Sequence, residues 1–183
     1  MKVVKQFLIL SIAILGFSIV DAQAQSFSTD GKTVQTIERR VFKELIKLPY
    51  YGVFDNLKYK VDGDTVTLYG KVVRPLTKKQ AENSVEDIKG VRRVINNIEI
   101  LPLSGFDDSI RRRTLHTFAD KGLYRYLWEP NPSVRIIVDR GHVQLEGYVA
   151  NRGDYNLMNI LANGVNGVFS VENNLVVGKE IAR

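Results

Sequence analysis

The sequence predicts an α+β protein made of two tandem α-β-β-α-β modules, each a small mixed three-stranded sheet covered by two helices. Three observations predict it. Residues 90–100 read GVRRVINNIEI and residues 167–177 read GVFSVENNLVV, keeping Gly, two Val and the Asn-Asn pair. The same offset, 77 residues from Gly90 to Gly167, lays residues 61–72 (VDGDTVTLYGKV) on residues 138–149 (VDRGHVQLEGYV). Around both copies run the same periodicities: helical, two short alternating stretches, helical again, then a closing strand. Segments that share one offset mark an internal repeat. A chain of 183 residues holds two such units, each near the lower end of what folds without staples.

Residues 1–24 stand outside the repeat. Lys2 and Lys5 precede an uncharged apolar run over residues 7–20, and Ala22-Gln23-Ala24 offers a small-residue cleavage site. That is the layout of a secretory signal peptide. The run is shorter than the ~18–20 residues a span needs, so no integral membrane span is expected after cleavage. Residues 25–33 are polar, bear Gly and Ser, and read as a flexible leader.

The first module is expected over residues 34–101. Thr33 reads as an N-cap, and Val34, Ile37, Val41, Leu45 and Leu48 follow at helical spacing until Pro49 stops the helix. Residues 57–61 and 66–69 alternate around Asp62-Gly63-Asp64, a hairpin signal. Gly70 marks a bend or a close backbone approach. Thr77 to Gln80 reads as a capping box, opening a helix with Ala81, Val85 and Ile88 inward and Gly90 at its end. Residues 91–100 close the sheet, parallel to one hairpin strand because a helical crossover precedes them.

The second module is expected over residues 108–178. Asp108 or Ser109 caps a helix carrying Ile110, Leu115, Phe118, Ala119 and Leu123. A hairpin turns at Asp139-Arg140-Gly141. Asp154 caps a helix with Leu157, Met158, Leu161 and Val165 inward, and residues 168–177 form the last strand. Two helices cover one face of a three-stranded sheet, and packing of module on module is one occupant of the other face.

Composition narrows function. There is no cysteine, which excludes a disulfide framework, a thiolate nucleophile and a lipidated N-terminal Cys. An exported Cys-free pair of this size fits a periplasm. Net charge is +6, a mild excess that favours an anionic surface. Nucleic acid is a poor partner for an exported chain, and the GXXG of Gly164 to Gly167 reads as accidental, since its repeat partner is Asp87 to Gly90. His116 and His142 lack metal-ligand spacing, and Asp62 and Asp64 read as a turn. No catalytic residue, metal site or cofactor is expected.

The V-x-L-x-G-x-V hairpin end and the G-V-x-x-V-x-N strand, each present twice, resemble the BON domain. The motif residues include Gly70, Gly90 and Asn96, echoed by Gly147, Gly167 and Asn173. The resemblance implies a non-enzymatic, often tandem, exported module associated with phospholipid membranes, envelope integrity and osmotic stress tolerance. From the residues alone, the glycines are backbone devices, and the asparagines read as side-chain-to-backbone bonds fixing a strand.

The modules differ most between first helix and first strand, where the second is longer and holds the only Trp. Tyr124, Tyr126, Leu127 and Trp128 suit a place that is apolar at one end and wet at the other. Arg125, Lys121, Arg111, Arg112 and Arg113 would attract anionic phospholipid headgroups. The other reading is that these aromatics roof the core and that the Arg triplet is a solvated helix face. The alternative function is an envelope protein-protein scaffold using a sheet edge or the groove between modules, without lipid binding.

Overall fold

The computed structural model describes residues 20–128 and 131–178. Its elements run α1 (Val20–Ile46), β1 (Asn56–Asp62), β2 (Thr65–Val72), α2 (Pro75–Glu86), β3 (Arg93–Ile100), α3 (Gly105–Phe118), β4 (Val134–Asp139), β5 (His142–Val149), α4 (Arg152–Asn163) and β6 (Ser170–Val177). Two three-stranded sheets result, ordered β1-β2-β3 and β4-β5-β6. In each, the hairpin is antiparallel and the last strand is parallel to the middle one. The expected α+β architecture of two repeated modules is the observed one.

Most of the expected signal segment lies outside the described residues. The stretch read as a flexible leader is helical: α1 starts at Val20, not at a Thr33 cap. Residues 20–32 contain no proline and a single glycine, so little stops a helix propagating outward from its packed end. That packed end is as expected, with Ile37, Val41 and Leu45 buried.

Three other helix starts move upstream. α2 begins at Pro75, whose fixed φ and missing N–H suit the first helical position, and Thr77 lies buried inside the first turn. α3 is capped by Ser104, whose hydroxyl accepts from the Asp107 N–H, and α4 by Asn151, which accepts from the Asp154 N–H. Leu157, expected inward on α4, is 36% exposed.

Each module has its own core. Ile37, Val41, Leu68, Val72, Val85 and Ile98 anchor the first, and Ile110, Phe118, Ile136, Leu145, Met158 and Ala162 the second. The open sheet faces meet on the β4 side. Ile137 points away from its own helices yet is 2% exposed, because it lies beside Lys58, Tyr69 and Lys71 of the first sheet. Lys58 pairs with Glu146 at 3.0 Å and Lys71 with Asp139 at 3.3 Å, a basic face on an acidic one. Partly exposed pairs of this kind contribute ~0–1 kcal/mol each, so they orient more than they hold.

Stronger fastening comes from the loop after α1. The Ile136 N–H donates to the Val53 carbonyl at 2.8 Å, so this loop caps the free edge of β4. Val53 and Phe54 pack against the second module's core. The Arg135 guanidinium donates to the Gly52 carbonyl at 2.8 Å and lies 4.2 Å from the centre of the Tyr51 ring. Asp55 holds the loop in shape by accepting from the N–H groups of Gly52 and Val73. Burial pushes the Asp55 carboxyl above its ordinary value, against the pull of those bonds and of Arg135.

Candidate functional site

The longer connection of the second module becomes a built corner. After Phe118 the helix widens over Ala119–Leu123 and its regular dihedrals break at Lys121 and Gly122. Gly122 adopts φ +78°, a left-handed conformation that side chains resist, and this turns the chain back on itself. One tight turn follows over Tyr124–Tyr126. The reversal sends Leu123, Tyr126 and Leu127 into the core and leaves Tyr124 and Trp128 61% and 72% exposed.

A polar latch fixes this corner to the start of α4. The Tyr126 hydroxyl donates to Asp154 at 2.5 Å and accepts from the Ala150 N–H at 3.0 Å. Arg125 donates to the same carboxylate at 2.7 Å and lies 4.7 Å from the centre of the Tyr126 ring. Desolvation pulls the Asp154 carboxyl up, but the bonds from Tyr126, Arg125 and Asn151 outweigh it and hold it below 3.8. A depressed carboxylate stabilises the fold above its unfolded value and loses that contribution as pH falls through the folded one. Tyr126→Phe is therefore expected to cost about 1–3 kcal/mol at neutral pH, with the gap to the parent narrowing below pH 3.8. Urea denaturation at pH 7 and pH 3 checks both parts.

The expected lipid-facing residues divide. Lys121, Tyr124, Arg125, Trp128, Arg112 and Arg113 are exposed. Arg111 is not available: it is 2% exposed and donates to Asp108 at 2.5 Å and to the Val138 carbonyl at 2.6 Å. It ties the helix to the end of β4, because its place on α3 points toward the sheet. Tyr126 and Leu127, 6% and 4% exposed, are core residues, as the roofing alternative has it. The expected cluster is thus a mixed one, an exposed pair of aromatics and flanking cations over a buried aromatic base.

Asp107, which the sequence reading passed over, is 1% exposed and accepts from the N–H groups of Arg140 and Gly141 at 2.9 and 2.8 Å. Only an acid in a helix's first turn signalled it. Among the described residues no group of three or more His, Asp or Glu is placed to hold a metal ion, and no helix is long and apolar enough to cross a membrane.

Two stretches of the chain, residues 33–102 and 107–179, match the BON domain. The chain belongs to the BON domain family. BON domains are envelope-associated binding modules without catalysis of their own. No curated protein matches the chain. Among solved structures it is similar to the C-terminal domain of CdsD, the structural protein of the Type III secretion system of Chlamydia trachomatis, at 11% identity and a TM-score of 0.32. That alignment covers 76% of this chain and 96% of the other. A second CdsD structure, also from Chlamydia trachomatis, aligns at 10% identity and a TM-score of 0.32, covering 79% of this chain and 94% of the other.

In both BON modules the motif residues do mechanical work. The Asn96 side chain donates to the Lys78 carbonyl on α2 and accepts from the Ile98 N–H. Asn173 repeats this with the Tyr155 carbonyl and the Leu175 N–H. Each staples a last strand to its covering helix. Between the BON modules lies a cleft of about 520 Å³, lined by Tyr51, Tyr59, Arg135, Glu146, Tyr148 and Asn174 among others. Of its charged groups, Lys58 and Glu146 pair with each other and Arg135 donates to the Gly52 carbonyl.

Proposed function

We propose that this protein is a non-enzymatic, exported BON pair that binds anionic phospholipid surfaces of the bacterial envelope from the periplasm. The observation that carries this reading is the pair of exposed aromatics, Tyr124 and Trp128, beside the exposed Lys121 and Arg125 in the chain, with Arg112 and Arg113 exposed farther back on α3. Aromatic rings with a polar edge favour the headgroup level, and each nearby cation adds ~1 kcal/mol toward an anionic bilayer. The Tyr126–Asp154 latch supports it as well, because a contact on a braced corner loses little freedom on binding. Co-sedimentation with phosphatidylglycerol-containing vesicles tests it. The mature chain is expected to bind, to release with added salt, and to bind about tenfold more weakly as Trp128→Ala, equivalent to ~1.4 kcal/mol. No vesicle binding by the parent chain would end this reading.

The second reading is an envelope scaffold that docks a protein without lipid. The cleft between the modules favours it. It expects a stable partner whose capture depends on cleft residues such as Tyr148, and is indifferent to Trp128.

A further inference from the structure

The two modules share a fold but not a surface, and the difference is concentrated on the outer face of the second module's helices. On α4, Met158 and Ala162 are buried, and at about 100° per residue Ile160 points directly away from them. Ile160 is 67% exposed, and Leu157 beside it 36%. At the C-terminal end of the same layer Phe169 is 70% exposed and stacks, tilted, on Phe106 of α3 with ring centres 5.9 Å apart. At the opposite end stand Tyr124 and Trp128.

The repeat supplies an internal control. At the positions equivalent to Leu157, Ile160 and Phe169 the first module carries Gln80, Asn83 and Arg92, and opposite Phe106 it carries Thr33. The fold therefore does not require apolar side chains at these places. Polar residues serve the first module, and a run of exposed aliphatic and aromatic groups in the second marks an interaction face.

What covers the face follows from its charge. Arg112, Arg113, Lys121, Arg125 and Arg152 are exposed on α3, on α4 and in the turn between α3 and β4. Asp154 pairs with Arg125, Asp108 with Arg111 and Asp107 with the hairpin turn, and Asp120 is exposed beside Lys121, so Arg112, Arg113 and Arg152 are the cations in excess on this face. An apolar plane rimmed by cations matches an anionic bilayer surface, where side chains enter the acyl boundary and cations stay at the phosphates.

We infer that the whole outer face of α3 and α4, and not the Trp128 corner alone, is the membrane contact, so that the second module lies flat on anionic lipid with Ile160 and Leu157 at the centre of the buried patch. This inference rests on the lipid reading above. It gives the modules separate tasks: the second seats on the bilayer, and the first, held by Arg135 and the loop of residues 52–55, is carried above it.

The test exchanges each residue for its counterpart in the first module. The mature chain and its Leu157→Gln/Ile160→Asn variant are titrated with vesicles of one part phosphatidylglycerol to three parts phosphatidylcholine, at low and high salt, alongside thermal melts and light scattering of the free protein. The variant is expected to melt like the parent and to bind about tenfold more weakly or worse. The deficit should persist at high salt, where Coulombic attraction is screened and apolar burial is not. Parent binding with an unchanged variant would overturn this inference and leave the Trp128 corner standing. A parent dimer that the substitutions convert to monomer would overturn it too, since a second copy would then cover the face. Failure of the parent to bind any vesicle would remove the lipid reading itself.

Discussion

Gly147→Ala is expected to unfold the second module. Gly147 sits in β5 at φ +111°, and a Cβ there would lie 2.0 Å from the Ser133 carbonyl oxygen, with the Ser133 carbonyl carbon 3.0 Å away. Both obstacles are backbone, so no side chain can swing aside. The strand must either leave its neighbour or strain, at about 3 kcal/mol or more. A small domain has about 5–10 kcal/mol to lose. Gly70 repeats the geometry in β2, with the Asn56 carbonyl oxygen also 2.0 Å from the added carbon, so Gly70→Ala should do the same to the first module. Circular dichroism melts report this directly, and a melting temperature within a degree or two of the parent would show that the close approach is not as rigid as drawn.

Arg135→Ala is the second large effect, and it acts between modules. Arg135 is 6% exposed and stacks on Tyr51, donates to the Gly52 carbonyl and donates to Asn131. Its removal takes one donor from the half-buried Gly52 carbonyl, which keeps the Asp55 N–H, and the donor to the half-buried Asn131 side chain, and it leaves a void beneath Tyr51; together this is worth about 2–4 kcal/mol. Arg135→Lys keeps the charge but not the planar fork and should recover little of this. The expected result is a pair of modules that melt separately and a connection over residues 49–56 newly open to protease. A variant that melts in one transition at the parent temperature would assign the coupling to Val53, Phe54 and the Lys58–Glu146 and Lys71–Asp139 pairs instead. If the second module seats on lipid, loosened coupling should leave vesicle affinity unchanged and alter only where the first module is held.

Local competition sets where α2 and α4 begin. In α2 and α4 the residues read as caps, Thr77 and Asp154, lie inside the first turn, because Pro75 and Asn151 upstream are the better starters. In the first turn an acid or hydroxyl resembles a cap to any reading that weighs only neighbours. Arg111 is buried for a reason that spacing does not carry. Three consecutive arginines span more than half a helix's circumference, and the sequence does not say which one meets a strand end.

The sequence by itself determined the duplication, the order of elements, the parallel closing strands and most of the core-facing residues, Leu157 excepted. Periodicity reports which side of each element faces its own module's core, and that is a property of neighbours along the chain. Only the tertiary structure decided that Tyr126 and Leu127 turn inward while Tyr124 and Trp128 turn out, that Ile137 is buried by the other module, and that Arg135 grips a carbonyl 83 residues away. Those outcomes depend on which surfaces meet once both modules have folded, and no pattern of spacing within one module carries that information.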